Sequence, residues 1–152
     1  TYTIEYTSNN VFSRISNMQI FKLPWSSYQE PTELMSMEER NHPVEFWWYQ
    51  NDDFVSEILN IEIPEDKKLT ELPENLNYTC SIADYSLDFT VNGKILRIKR
   101  ELRFKNDYVP AEKYDEFKEF FDNVIKADAM QIAFTQNDKS KKGKKKKKRK
   151  GR

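Results

Sequence analysis

Residues 86–104 read SLDFTVNGKILRIKRELRF and carry the strongest structural signal in this 152-residue chain. Two runs of alternating apolar and polar residues flank Asn92-Gly93, a pair typical of a tight turn in which both residues take positive φ angles. Leucine and isoleucine occupy one parity of the second run, with Arg100 as the exception. The pattern predicts an antiparallel hairpin with one buried and one solvated face.

Other parts of the sequence extend this pattern. Shorter alternating runs predict strands at residues 1–6, 18–23, 43–50, 58–63, 78–85 and 131–135. Residues 110–126 instead repeat apolar side chains at three- and four-residue spacings, which predicts an amphipathic helix with Pro110 in its first turn. Many strands and one late helix favour a mainly β fold, an antiparallel β-sandwich with one C-terminal amphipathic α-helix packed on it.

The charges divide the chain into two parts. Residues 139–152 read KSKKGKKKKKRKGR, with eleven basic residues and no acidic one. The chain has 25 basic and 25 acidic residues in total, so residues 1–138 hold 14 basic and all 25 acidic ones. The aromatic content of 14% is enough for a packed core. We therefore expect one folded domain at 1–138 and a disordered polybasic tail at 139–152.

The residues that could support catalysis or metal binding are few. Cys80 and His42 are the only cysteine and histidine, which excludes an intramolecular disulfide and the usual zinc ligand sets. A nucleophilic cysteine needs a neighbouring base, whereas Cys80 falls in the predicted strand 78–85 and is expected to be a buried core residue. His42 precedes a strand, where an exposed or capping role is expected. We predict no catalytic residue, metal site or cofactor.

An aromatic run in the predicted strand 43–50 offers a candidate ligand-binding surface. Period two places Trp47 and Tyr49 on the face opposite Phe46 and Trp48. If that face is exposed, the two rings could stack on a sugar or a peptide. The alternative is that both faces of the strand are covered.

The basic tail offers a second candidate, a site for nucleic acid, anionic lipid or an acidic protein. Its candidate residues are Lys141, Lys142, Lys144, Lys145, Lys146, Lys147, Lys148, Arg149 and Lys150. The tail has no aromatic residue, and no basic strip continues it into the acidic body. A solvated tail that aids solubility or contacts the acidic body is the alternative.

The start of the sequence indicates a segment of a longer protein. It begins TYTIEYTSNN, without an initiator Met and without the basic and apolar regions of a signal peptide. The sequence also lacks an 18-residue apolar run, so no transmembrane helix is predicted.

A series of short motifs occurs in order along residues 36–136. The motifs are Glu38-Glu39-Arg40 with His42-Pro43-Val44, then Ile61-Glu62-Ile63-Pro64-Glu65, Glu71-Leu72-Pro73, Tyr108-Val109-Pro110-Ala111-Glu112-Lys113-Tyr114, Phe117, Phe120-Phe121 and Gln131-Ile132-Ala133-Phe134. Together they resemble the C-terminal β-domain of bacterial transglutaminase-like proteins. The lysine-rich end is not part of this family pattern.

The resemblance implies an accessory domain that follows a transglutaminase or cysteine-peptidase-like core in one parent chain, located in the periplasm or cell envelope. The family's triad runs Cys, His, Asp along that core, whereas His42 precedes Cys80 here, so the triad is not carried over to any residue. We expect a non-catalytic domain that positions or stabilises the core. The alternatives are a glycan- or peptide-binding module using Trp47 and Tyr49, and polyanion binding through the tail.

Overall fold

In the part of the chain that the structure describes, the fold is mainly β, with antiparallel sheets and one complete α-helix near the C-terminal end, as predicted. The computed structural model describes residues 12–26, 36–45, 54–106 and 108–137, and 51% of these residues are in strands. The elements are β1 (Phe12–Ile15), β2 (Met18–Lys22), β3 (Val44–Glu45), β4 (Phe54–Glu62), β5 (Lys67–Leu69), β6 (Leu76–Thr79), β7 (Ala83–Asn92), β8 (Ile95–Phe104), β9 (Tyr108–Val109), a 3-10 turn (Ala111–Lys113), α1 (Tyr114–Asp128) and β10 (Gln131–Gln136).

The described strands form two larger sheets and one small one. The first sheet has the order β1-β2-β10-β5, the second β4-β8-β7-β6, and β3 pairs with β9. All these pairings are antiparallel. The chain enters the second sheet at β4, crosses to the first sheet for β5, returns to the second for β6, β7 and β8, and enters the first again at β10, after α1. Strand β2, which precedes the second sheet in the sequence, and strand β10, which follows it, therefore pair side by side in the first sheet.

The hairpin β7–β8 is confirmed, but its turn differs from the expected one. Asn92 pairs with Ile95, so the two loop residues are Gly93 and Lys94. In the described residues, only Ser16 and Gly93 have positive φ, and Gly93 lies at 61°. The expectation of two positive angles at Asn92 and Gly93 is wrong. Glycine at the first loop position, followed by a residue with negative φ, is the arrangement of a type II′ turn.

The predicted strand at 78–85 is divided into two strands by a turn. β6 ends at Thr79 and β7 begins at Ala83, and residues 80–82 connect them. The Cys80 N–H donates to the Ala83 carbonyl at 2.9 Å. The alternating pattern did not reveal this turn, since Cys80 and Ile82 are both buried like strand residues.

One hydrophobic core joins both larger sheets to the helix. α1 starts four residues later than its predicted beginning because Ala111–Lys113 form a 3-10 turn. Its buried residues include Phe117 and Phe121 at the predicted spacing, and Phe120 as well. The Phe121 ring stacks on Phe104 of β8, with the ring centroids 6.0 Å apart. The helix therefore packs on the inner face of the second sheet.

Candidate functional site

The most unusual side chain in the core is the Arg100 guanidinium. Arg100 lies on the inward parity of β8 between Ile98 and Leu102, and none of it is exposed. Its Nη1 pairs with Glu57 Oε2 at 2.7 Å, and its Nη2 pairs with Asp128 Oδ2 at 2.8 Å. Two carboxylates thus surround one buried cation, which is the arrangement that makes burial of such a charge tolerable.

Neighbouring groups hold these three side chains in place. The Tyr85 hydroxyl donates to Asp128 Oδ1 at 2.9 Å, and the Ser26 N–H donates to Glu57 Oε1 at 2.8 Å. Burial raises the pKa of Tyr85, and the nearby Asp128 charge raises it further. The Arg100 guanidinium also lies over the Trp25 ring, 5.3 Å from its centroid.

The Arg100 network joins the two larger sheets. Arg100, Glu57 and Tyr85 belong to the second sheet, whereas Ser26 follows β2 of the first sheet. Asp128 is the last residue of α1, and β10 begins three residues later at Gln131. Since Arg100 is fully buried and Asp128 is 1% exposed, a substrate has no direct access to this pair. The geometry fits a structural role in fixing the sheets and the helix to each other.

Cys80 has a structural role in the turn between β6 and β7. It is 6% exposed, and its Sγ accepts the Ile82 N–H at 3.4 Å and the Ala83 N–H at 3.2 Å. The sulfur therefore accepts hydrogen bonds from two buried backbone N–H groups. The expectation that Cys80 is a buried core residue is confirmed, although it lies in a turn and not in a strand.

A second polar contact fixes the start of the helix to this same turn. Glu116 Oε1 accepts the Ser81 N–H at 2.6 Å, and Glu116 Oε2 pairs with Lys113 Nζ at 3.0 Å. The Ser81 hydrogen bonds and the Lys113 contact lower the pKa of Glu116 to about 2. This contact attaches the first turn of α1 to the second sheet.

The outer face of the second sheet carries an organised pattern of side chains. One half of it, which we call the paired half, is crossed by contacts between its own side chains. The contacts are Arg103 Cζ to the Phe54 ring centroid at 4.4 Å, Lys99 to Glu101 at 2.8 Å, and Lys105 to Asp84 at 2.7 Å.

The other half of this face lies toward the Gly93 turn and is different. We call it the open patch, and its residues are Ile58, Asn60, Glu62, Asp88, Thr90, Ile95 and Arg97. Register places Arg97 between Asn60 of β4 and Thr90 of β7, both uncharged. Ile58 is 44% exposed and Ile95 is 39% exposed on the same face. The open patch therefore combines an exposed guanidinium and exposed apolar side chains with the carboxylates of Glu62 and Asp88, which the register places diagonally from Arg97.

The predicted binding residues are not located by the structure. Trp47, Tyr49 and the tail residues 139–152 lie outside the described residues, so their binding roles stay predictions. His42 is exposed, in agreement with one of its expected roles. Within the described ranges, no group of three or more His, Cys, Asp or Glu residues could hold a metal ion. No helix in these ranges is long and apolar enough to cross a membrane.

A partial signal for the Arg100 network is visible in the amino-acid pattern, but no signal for the open patch is. Arg100 interrupts an apolar parity, which marks it as a buried charge. Its partner Glu57 is 43 residues away and lies just before the predicted strand 58–63, so only the β4–β8 register reveals it. The open patch depends on three strands lying side by side.

Comparisons with known proteins identify related sequence and fold. Residues 8–134 match the family described as "Domain of Unknown Function with solved-structure structure (DUF3858)". The fold is similar to the crystal structure of a putative protease from Parabacteroides distasonis ATCC 8503, with a TM-score of 0.56 and 12% identity. The match covers 79% of this chain and 24% of that chain. No curated protein matches the sequence.

Proposed function

Since the chain belongs to the DUF3858 family, we propose that it is a non-catalytic accessory domain of a larger transglutaminase-like envelope protein. In this role it positions or stabilises the enzyme core of the same polypeptide. The observation that carries the proposal is the length relation: the matching fold spans 24% of the chain of a protein described as a putative protease. A domain with its own core, within a chain of that length, has neighbouring domains to contact.

The described polar groups support this role. The Arg100 network is buried and binds parts of both sheets, and the Cys80 sulfur accepts two backbone N–H groups. Both features stabilise this domain. Reactive cysteines instead lie in partly exposed electropositive sites. The transglutaminase-like parent and the envelope location rest on the motif resemblance.

The test uses the parent polypeptide with and without residues 8–134. We expect deletion to lower the thermal midpoint or the activity of the remaining enzyme, because the domain supports its position. Cys80→Ser in the intact polypeptide should leave peptide hydrolysis and amine cross-linking unchanged.

The 152-residue chain itself provides the opposing test. If it hydrolyses peptides or cross-links amines, and Cys80→Ala abolishes that activity while the variant still melts cooperatively, the proposal is wrong. Unchanged stability and activity of the parent after deletion would also contradict it.

A further inference from the structure

We propose that Asn92 is a site of spontaneous chemical modification, at which the side-chain amide is lost by ring closure onto the backbone nitrogen of Gly93, and that one product opens the β7–β8 turn. The reaction uses groups of this chain and water alone. The inference concerns the domain itself and does not depend on its accessory role.

The pair Asn92-Gly93 has the residue types that this reaction favours. Asn92 is the only asparagine of the 152-residue chain that is followed by glycine. Ring closure brings the backbone nitrogen of the next residue onto the side-chain Cγ of the asparagine. A Cβ on that next residue hinders the approach, whereas glycine permits a close approach of the backbone. Gly93 therefore offers the least hindered nitrogen next to any asparagine of the chain.

The structure places this pair at an open end of the second sheet. Asn92 is the last residue of β7, and Gly93 and Lys94 form the two-residue loop before β8. All residues of the range 91–95 are exposed, and a Cβ added to Gly93 would meet nothing within 4 Å. Among the described turns and loops, the Gly93 N–H donates no backbone hydrogen bond. The attacking nitrogen is therefore accessible.

The hairpin controls when the ring can close. Pairing of Asn92 with Ile95 holds the Asn92 backbone in the strand conformation, and ring closure requires that backbone to rotate. The end of a hairpin opens most easily, because few buried contacts hold it. Val91 and Ile95 are 42% and 39% exposed there. The reaction therefore takes place during local opening of the turn and does not require unfolding of the domain.

The bonds that form and break are as follows. The Gly93 nitrogen forms a bond to Cγ of Asn92, the Cγ–Nδ2 bond breaks, and the leaving amide takes up the Gly93 proton and departs as ammonia. Water then adds to one of the two carbonyl carbons of the cyclic imide. Opening at the Cγ carbonyl gives aspartate, and opening at the backbone carbonyl gives isoaspartate. Neither step needs an oxidant or a reductant.

The isoaspartate product does not fit the observed turn. Its backbone has one additional carbon atom, whereas this hairpin is closed by a loop of two residues. The Lys94 carbonyl accepts the Ile63 N–H at 2.7 Å, and Lys94 Nζ pairs with Glu65 at 2.7 Å. These contacts attach the turn to the segment between β4 and β5. Lengthening of the backbone displaces Lys94 and weakens both contacts.

The experiment incubates the 152-residue chain at mildly alkaline pH and follows each asparagine by peptide mass mapping, with chromatographic separation of aspartate from isoaspartate. Asn77 is the matched control, since it is also exposed but is followed by Tyr78. Asn92 should be converted at least about ten-fold faster than Asn77, because glycine does not hinder the attacking nitrogen. Equal rates at Asn92 and Asn77 would overturn the proposal.

Gly93→Ala separates the effect of glycine from that of turn opening. Because Gly93 has a φ angle of 61°, alanine loosens the turn, and a rate set by opening alone would rise. We expect the conversion of Asn92 in this variant to fall to the rate of Asn77 instead. Conversion as fast as in the original chain would contradict the proposed ring closure.

Urea unfolding of the incubated samples tests the structural consequence. The isoaspartate fraction should unfold at a lower urea concentration than the fresh chain, whereas Asn92→Ala should show no such shift on incubation. Asn92→Asp carries the charge of the other product without the longer backbone, so it should unfold close to the fresh chain. If the isoaspartate fraction unfolds at the same urea concentration as the fresh chain, the proposed opening of the turn is wrong.

Discussion

Arg100 and Asp128 form an ion pair of 2.8 Å between Nη2 and Oδ2 inside the hydrophobic core, where neither side chain is more than 1% exposed. The pair connects the central strand β8 to the end of α1, three residues before β10 of the first sheet begins. Such a pair adds little net stability relative to apolar residues, but breaking it leaves a buried charge without compensation.

Replacement of Arg100 by Met should therefore destabilise the domain by about 3–5 kcal/mol, because Asp128 and Glu57 lose their cation. Urea unfolding followed by tryptophan fluorescence measures the change. Arg97→Met is the control, since Arg97 is exposed on the same strand, and it should change stability by about 0.5 kcal/mol or less. Adding Asp128→Asn to Arg100→Met should recover part of the loss. If Arg100→Met lowered the free energy of unfolding by no more than Arg97→Met does, the Arg100 network would not be needed for stability.

Tyr85→Phe removes the hydroxyl that donates to Asp128 Oδ1. Hydrogen bonds to charged groups contribute about 1.5–3 kcal/mol, so a loss in that range is expected in thermal or urea unfolding. Tyr108→Phe is the control because Tyr108 is 53% exposed. If both variants unfold at the same urea concentration as the original chain, Tyr85 does not support the network.

Acid should weaken the contact between Glu116 and Ser81. The folded-state pKa of Glu116 is lowered to about 2 from the ordinary 4.5, first by the Ser81 hydrogen bond and then by Lys113. As the pH falls, Glu116 is protonated in the unfolded chain before it is protonated in the folded one. The stabilisation of the folded state by ionised Glu116 is therefore complete above about pH 4.5 and is lost between about pH 4.5 and pH 2.

In a melting series across this range, Glu116→Gln should lower the midpoint above pH 4.5 and converge with the original chain toward pH 2. Glu119→Gln controls for the loss of one charge, as it alters the same helix without touching Ser81. A constant difference between the Glu116→Gln variant and the original chain at every pH would contradict this assignment.

Alanine substitution in the turn of the β7–β8 hairpin should destabilise the domain at Gly93 much more than at Asn92. Gly93 has a φ angle of 61°, which costs a residue with a Cβ about 1–2 kcal/mol. Gly93→Ala should therefore lower stability by that amount, although the added Cβ meets nothing within 4 Å. Asn92→Ala should have a much smaller effect. Equal losses at both positions would indicate that both need positive φ.

The elements that the sequence predicted well are those whose pattern is local. The alternation in residues 86–104 predicted β7 and β8 because apolar side chains at period two must share one face of a strand. The spacing of Tyr114, Phe117 and Phe121 predicted α1 for the corresponding reason in a helix. Short strands such as β1 and β5 were missed, because three or four residues carry too little periodic signal.

The candidate surfaces were less predictable. The sequence indicated Trp47, Tyr49 and the basic tail, which are aromatic or charged runs visible without a fold. The open patch was not predicted, since Asn60, Thr90 and Arg97 come from three strands and only their register makes them neighbours.

By itself, the sequence determined that this protein is mainly β with one late amphipathic helix, because burial of apolar side chains imposes period two or 3.6 on adjacent residues. It also marked Arg100 as a charge on an apolar face. Only the tertiary structure decided which carboxylates neutralise that charge and which cations remain on the outer face. Arg100 is 43 positions from Glu57, and Tyr85 is 43 positions from Asp128. Contacts between residues so far apart in the sequence depend on sheet register and helix packing.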